Sequence, residues 1–121
     1  LRDDLGNRTT VERVNRSRYL WFMNYRQSRR PARALETFLQ SDDLFESSSL
    51  DAYSEAWALS FYLVETRRPK YTEYLKRIAA RDPLAGPSEA DRQADFTAVF
   101  GPDLKWLEAQ YLNWLDKIPL K

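Results

Sequence analysis

Residues 51–66 have the sequence DAYSEAWALSFYLVET. Apolar side chains recur here at spacings of three and four, which predicts an α-helix. Its predicted buried face carries Tyr53, Ala56, Trp57, Ser60, Phe61 and Val64, with Leu59 and Leu63 on the flank. Apolar coverage this wide is typical of a central helix that packs on more than one side. Asp51 is expected to cap the N-terminus of this helix.

Two further helices are predicted upstream of the central one. The first covers residues 11–27 and ends in a basic stretch. Pro31 opens the second, because a residue of fixed φ suits the first helical turn. The inward side of this second helix carries Ala32, Leu35, Phe38 and Leu39. Residues 41–49 are rich in Ser and Asp, which predicts a loop that Leu44 and Phe45 hold against the core.

The sequence after residue 66 predicts three more helices. Pro69 restarts the chain in a helix that continues to residue 80, and the Asp82-Pro83 dipeptide and a turn over residues 84–87 follow it. The inward stripe of that helix consists of Tyr71, Tyr74, Leu75 and Ile78. This part of the chain is therefore expected to turn back toward the central helix.

The last two predicted helices carry clear start and stop signals. Ser88 and Asp91 form a capping box, and Gly101 ends the helix in a positive-φ conformation. The buried edge of this helix consists of Phe96, Val99 and Phe100. The final helix begins at residues 102–103 and ends at Pro119. Its stripe consists of Leu104, Leu107, Tyr111, Leu115 and Ile118, with Trp106 and Trp114 to the sides.

These elements predict an all-α protein, an irregular orthogonal bundle of five to six helices, in a single domain or subdomain over residues 1–121. Strand signals are scarce, and the chain has no internal repeat. The start at Leu1 rather than at Met indicates a fragment of a longer protein. No apolar stretch reaches 18 residues, so no membrane span is predicted.

The composition excludes several classes of chemistry within this chain. It contains no His and no Cys, which removes the usual general base, the imidazole and thiolate metal ligands and the thiol nucleophile. Lys and Arg number 19 against 18 Asp and Glu, a net charge of +1. A chain so nearly neutral has no overall field that would attract nucleic acid, and no nucleic-acid partner is expected.

Three local patterns each have a functional and a structural interpretation. Seven arginines between residues 13 and 33 alternate with aromatic residues, a pattern that suits single-stranded nucleic acid but is more often a solvated helix face. Asp42, Asp43 and Glu46 offer oxygen ligands for a cation, but they lack the glycine and the regular spacing of a calcium loop. Trp57, Trp106 and Trp114 suit a ligand groove, although Trp at helical spacing is more often a core residue.

The central helix also resembles part of a known family. Residues 51–63 are similar to a segment of an uncharacterised bacterial family related to gluzincin-type, peptidase-MA-like zinc metallopeptidases. The likeness continues through Val14-Asn15-Arg16 and through residues 35–43, 71–75, 90–101 and 104–115. In such peptidases a His-Glu-x-x-His helix supplies two zinc ligands and a general base, and a following helix supplies a further Glu ligand.

The resemblance implies a supporting role for this chain. Because the chain has no histidine, no catalytic or metal-ligating role transfers to any of its positions. It resembles a non-catalytic C-terminal helical subdomain that packs on a zinc metallopeptidase-like segment upstream, with Tyr53, Glu55 and Trp57 facing the cleft. No cofactor is expected in this chain, and any zinc belongs to the full-length protein. Related bacterial proteins are often exported, which is the only indication of a compartment.

Two alternatives come from other functional classes. A free-standing helical interaction module would use Arg18, Trp21, Tyr25 and Trp114 as its contact surface, with Trp114 on an exposed patch. A small carboxylate-dependent hydrolase would use Glu55 as its acid. The second carboxylate would then be Asp51, Glu65, Glu73 or Asp95. The ordinary role of a Glu near a helix start is to stabilise the helix dipole.

Overall fold

The computed structural model describes residues 9–81, 84 and 88–119. Within these residues the chain forms seven helices and no strand, which confirms the all-α prediction. The helices are α1 (Thr10–Arg13), α2 (Arg16–Ser28), α3 (Ala34–Gln40), α4 (Asp43–Ser47), α5 (Ser49–Ala79), α6 (Glu89–Phe100) and α7 (Leu104–Asp116). The sequence predicted five to six helices, and the structure has seven within the described residues. The counts differ because one predicted helix is split, one predicted loop is helical and two predicted helices are continuous.

The split occurs at the start of the chain, where the prediction of a single helix over residues 11–27 is wrong. Val14 is extended, and the Asn15 side chain accepts a hydrogen bond of 3.1 Å from the backbone N–H of Arg18. An Asn that bonds a nearby backbone N–H starts a new helix in preference to continuing the old one. The first turn is therefore a separate helix, α1, which Thr9 and Glu12 stabilise through a capping box.

The connection from α2 to α3 also differs from the prediction. Pro31 and Ala32 precede the helix, which begins at Ala34 after Arg33 in a left-handed conformation with φ 62°. Such a backbone costs about 1 kcal/mol or more for a residue other than Gly. The tight turn lets α3 bury Leu35 and Leu39 directly after α2 ends.

Residues 41–49, predicted as a loop, contain the single-turn helix α4. Leu44 packs against the core, as expected. The Phe45 ring contacts the rings of Phe38 at 5.8 Å and Tyr53 at 5.3 Å between centroids. The two apolar residues therefore anchor the segment as predicted, in helical rather than irregular backbone.

The central helix α5 has 31 residues and bends at Arg67, whose φ of −143° and ψ of 48° are not helical. The bend matches the predicted break before Pro69, which lacks an N–H and clashes with the preceding turn. α5 begins at Ser49, so the prediction that Asp51 is the N-cap is wrong. The buried side predicted for the part of α5 after Pro69 is partly right. Tyr71 and Tyr74 pack on the core, whereas Leu75 and Ile78 are exposed.

The predicted inward face of α5 is only partly right, because Leu59 and Leu63 are buried and Trp57 and Phe61 pack against the core, but Tyr53 does not. The buried residues are Asp51, Ala52, Ser54, Glu55, Ala58, Leu59, Tyr62 and Leu63. Tyr53, which was expected inside, is 52% exposed. The helix is rotated relative to the prediction because two carboxylates, Asp51 and Glu55, occupy its inner side.

The two C-terminal helices agree with the sequence. Ser88 and Asp91 form the predicted capping box, and Gly101 has a φ of 99° after α6. Asp103 caps α7 by accepting a hydrogen bond from the backbone of Trp106. The predicted stripe of α7 and the residues Phe96 and Val99 of α6 are buried. Leu84 is exposed, and the other predicted turn residues, Asp82, Pro83 and 85–87, lie outside the described residues.

The hydrophobic core lies between α2, α5 and α7. Phe22, Tyr111 and Leu115 are fully buried there, and Phe96 of α6 extends the core toward the second half of α5. Among the described residues, no helix is both long enough and apolar enough to span a bilayer.

Candidate functional site

Glu55 lies at the centre of a buried polar network. Its carboxylate is 0% exposed and accepts hydrogen bonds from Arg30 at 2.8 and 3.1 Å and from the Tyr111 hydroxyl at 2.8 Å. The Arg30 guanidinium also forms an ion pair of 2.7 Å with Glu108. Glu108 in turn accepts a bond from the backbone N–H of Leu35. The network therefore ties α2, α3, α5 and α7 together.

The network is surrounded by aromatic rings, and its central side chains, Arg30 and Glu55, are shielded from solvent. The Arg30 guanidinium lies 5.9 Å from the ring centroids of both Phe22 and Tyr111. Burial raises the pKa of Tyr111 well above its ordinary value and that of Tyr25 to about 12. A carboxylate in such a place requires a charged partner, and Arg30 supplies it.

Asp51, one turn earlier on α5, is the second buried carboxylate. It accepts two hydrogen bonds from Arg29, at 2.8 and 3.1 Å, one of 2.8 Å from the Trp21 indole and one of 2.8 Å from Ser48. The hydrogen bond from Arg29 is the main reason that the pKa of Asp51 is lowered. Asp51 thus fixes the position of the Trp21 ring as well as the start of α5.

Two more carboxylates follow the same pattern elsewhere in the fold. Asp95 on α6 pairs with Arg77 and Arg81, and Glu65 on α5 pairs with Arg13 and accepts a bond from Thr10. The hydrogen bonds from Arg81 and Arg13 lower the pKa of Asp95 and Glu65, respectively. These carboxylates and the two above are therefore each engaged by arginine, an arrangement that fixes helices relative to one another.

An exposed aromatic face lies directly above the Asp51 cluster. It consists of Arg18 and Trp21 on α2 and of Leu50 and Tyr53 on α5, and we call it the α2–α5 face. Trp21 is 43% exposed, Leu50 50% and Tyr53 52%. The Arg18 guanidinium lies 5.5 Å from the centroid of the Tyr53 ring. This face joins residues that the sequence assigned to two different surfaces.

A family comparison gives this chain a place among known sequences. The model of a family described as "Protein of unknown function (DUF1570)" matches residues 3–85. The chain belongs to this family. The match in the DUF1570 chain includes α1 to α5, and with them the α2–α5 face, whereas α6 and α7 lie beyond it. No curated protein and no solved structure matches the chain.

The three residues predicted to face a cleft differ in their burial. Tyr53 is exposed and Trp57 is half-buried, stacked on Phe61 at 5.2 Å. Glu55 does not reach the surface, so the expectation that it faces an open cleft is wrong for this structure. The hydrolase alternative would need substrate to reach Glu55, whose two oxygens are occupied by Arg30 and Tyr111.

The residues predicted to form an interaction surface also divide. Arg18 and Trp21 lie on the α2–α5 face, but Tyr25 is only 2% exposed and belongs to the core. Trp114 is half-buried against Phe61 and Tyr62, with centroid distances of 5.6 Å, so its assignment to an exposed patch is wrong. The more exposed Trp of α7 is Trp106.

The acidic residues Asp42, Asp43 and Glu46 do not converge as a cation site. Asp42 accepts a hydrogen bond of 2.8 Å from Arg92, which lowers its pKa, and Asp43 and Glu46 lie on α4. No group of three or more Asp and Glu side chains in the described parts of the DUF1570 chain is arranged to hold a metal ion.

Sequence reasoning missed Arg30, Glu108 and Tyr111 as partners of Glu55. The available signal was the Arg29-Arg30 pair at the end of a predicted helix, together with two acids, Asp51 and Glu55, four residues apart. Side chains at that spacing share a helix face, so two neighbouring arginines are able to serve both acids. The pairing itself depends on tertiary structure.

The lowered carboxyl pKa values predict that the protein loses stability in acid. The folded pKa values of Asp51, Asp95 and Glu65 lie below the ordinary 3.8 of Asp and 4.5 of Glu. Their contribution is therefore complete above the ordinary values and is lost as the pH falls through the folded values. Urea unfolding followed by circular dichroism should show that the urea concentration at the midpoint decreases as the pH is lowered below about 4.5.

The tyrosines predict a second decline at high pH. Tyr25 has an ordinary pKa of 10.0 and a folded pKa of about 12, so its contribution is present below pH 10 and is lost as the pH rises toward 12.

Asp95→Asn should lower stability at neutral pH and flatten the acid decline, with Glu73→Gln at an exposed position as its matched control. An unchanged acid profile in Asp95→Asn would contradict the assignment.

Proposed function

We propose that this chain is a non-catalytic helical subdomain that supports a zinc metallopeptidase-like segment located upstream in the same protein. The observation that carries the proposal is the α2–α5 face, where Trp21, bonded to the buried Asp51, and Tyr53, in contact with Arg18, are both exposed. The resemblance of residues 51–63 to peptidase-MA-like proteins supports the identity of the partner. The partner segment would supply any zinc ligands.

The α2–α5 face has the properties of a docking surface. Exposed aromatic residues with fixed positions are the commonest anchors of protein interfaces. The Trp21 ring is held by its hydrogen bond to Asp51, so little conformational freedom remains to be lost on docking. Leu50, exposed in the first turn of α5, adds an aliphatic side chain to the face. Arg18 provides the polar rim.

The rest of the fold supports a mechanical role for the chain. Glu55, Asp51, Asp95 and Glu65 are all paired with arginine, and these pairs bind helices to one another. A network of this kind holds the α2–α5 face in one shape. The function expected from it is to keep the partner segment in its correct position.

Two steps test the proposal. The first is to translate the DNA immediately upstream of Leu1 and to look for a His-Glu-x-x-His motif. The second is to produce that upstream segment separately and to measure its binding to this chain by titration calorimetry. Tyr53→Ala and Leu50→Asp should each weaken binding by about 30-fold, the effect of removing an interface anchor.

The variants are chosen so that folding is preserved. Leu50 lies in the first turn of α5, where an added Asp interacts favourably with the helix dipole. Trp106→Ala, an exposed Trp on α7, is the matched control and should leave the affinity unchanged. Absence of the upstream motif, or equal binding by all variants, would overturn the proposal. Self-association of the unmodified chain that these variants abolish would instead favour the free-standing interaction module.

A further inference from the structure

The bend in α5 creates a cleft between the two halves of the helix. The Tyr71 hydroxyl in the second half donates a hydrogen bond of 3.3 Å to Ser60 Oγ in the first half. α3 and α4 close one side of the cleft and α6 closes the other. The cleft has a volume of about 500 Å³, within the range of small-molecule sites in proteins. The cleft is a different site from the α2–α5 face, although Phe45 in its wall contacts Tyr53 of that face.

The wall of the cleft is mainly apolar and rich in aromatic rings. The rings come from three helices, and the residues are Phe38, Phe45, Tyr71 and Tyr74, together with Leu63 and Ile78. Phe38 and Phe45 contact each other at 5.8 Å, and Tyr74 contacts Phe96 behind the wall at 5.4 Å. Rings fixed in this way offer faces and edges to a further ring.

The charges at one end of the cleft compensate one another. Arg81 pairs with Asp95, and Arg92 pairs with Asp42. The four charges that line the cleft therefore sum to zero. A ligand with a net charge would have to compete with the Arg81–Asp95 pair, whose carboxylate is buried, whereas a neutral ligand leaves that pair intact. Ser60 and Tyr71 offer hydroxyl groups for a polar substituent.

We propose that this cleft binds a neutral small molecule with an aromatic body of about two to three rings. The aromatic wall selects the body, the volume sets its size and the two compensated ion pairs select neutrality. The ligand class is thus a neutral aromatic compound with at most a hydroxyl or similar polar substituent.

The test uses two fluorescent probes with the same ring skeleton. N-phenyl-1-naphthylamine is neutral, and 8-anilinonaphthalene-1-sulfonate adds one sulfonate. The neutral probe should bind the full chain with one site per molecule, and the sulfonate should bind at least about tenfold more weakly, because it disturbs an ion pair. Equal affinity for both probes would overturn the selection for neutrality.

Variants locate the binding site. Ala56 lines the cleft, and Ala56→Phe should obstruct it and weaken binding of the neutral probe by at least about tenfold. Ala109→Phe, at an exposed position of α7, is the matched control and should bind like the unmodified chain. Circular dichroism checks that both variants fold. Unchanged binding in a folded Ala56→Phe would overturn the proposal.

A second pair of variants avoids any disturbance of the interior. Ile78 is an exposed residue at the rim of the cleft, and Leu75 is an exposed residue of the same helix outside it. Ile78→Asp should weaken the neutral probe by about tenfold, and Leu75→Asp should not. If the chain instead binds no probe and forms a dimer that Ile78→Asp dissociates, a second copy fills the cleft and the proposal is wrong.

Discussion

Arg30→Met should lower the free energy of unfolding by about 3–5 kcal/mol, because it leaves a buried carboxylate without its cation. Arg30 is the only arginine bonded to Glu55 among the described residues, and it also pairs with Glu108. Urea unfolding of the variant, followed by circular dichroism at neutral pH, measures the loss.

A combined variant separates the cost of an unpaired charge from the value of the network. Arg30→Met, Glu55→Leu and Tyr111→Phe together replace the central groups with apolar ones and should recover at least about half of the loss. Arg33→Met removes an exposed pair with Glu36 and should cost less than about 1 kcal/mol. A loss in Arg30→Met no larger than that of Arg33→Met would contradict the role given to the network.

A chain that stops at residue 85 should not fold, although it contains the whole region that matches the DUF1570 family. It lacks α6 and α7, whose Phe96, Leu107, Tyr111 and Leu115 are fully buried in the core. Loss of one large buried side chain commonly costs about 3–5 kcal/mol, and a typical domain has only about 5–15 kcal/mol in total. Far-UV circular dichroism should therefore show little helix and no cooperative melting.

Recombination of two fragments provides the control for this truncation. Fragments 1–85 and 86–121 mixed in equal amounts should regain helix, because Tyr111 and Leu115 return to the core. A shorter second fragment, residues 86–99, should not restore helix to fragment 1–85, because it lacks α7. Cooperative melting of fragment 1–85 alone would show that the family region is an independent folding unit.

The sequence predicted the helices better than their orientation. The stripe of α7 contains only apolar and aromatic residues, so its periodicity alone identified the buried side. α5 carries Asp51 and Glu55 on its buried side, and a rule that places charges outside rotates the helix incorrectly. The left-handed Arg33 after Pro31 also has no local signal, because Gly is the residue expected there.

The sequence also predicted only some of the residues that form the surfaces of the protein. Trp21 was predicted on an interaction surface and is exposed, whereas Tyr53 was predicted on the inward face of its helix and is exposed as well. Tyr25 and Trp114 looked alike in sequence but are covered by neighbouring helices, which only tertiary packing determines. The cleft in the bend of α5 was not predicted, because it requires residues from α3, α4, α5 and α6 together.

The pairing of Arg29 with Asp51 and of Arg30 with Glu55 has a consequence for folding specificity. Aromatic side chains are tolerant, and several alternative packings of α2 on α5 would bury a comparable apolar area. A rotation of α5 by one residue, about 100°, would separate both acids from their adjacent arginines. Each such competitor would then separate the carboxylates of Asp51 and Glu55 from the cations that compensate them, which widens the energy gap between the native bundle and its near neighbours.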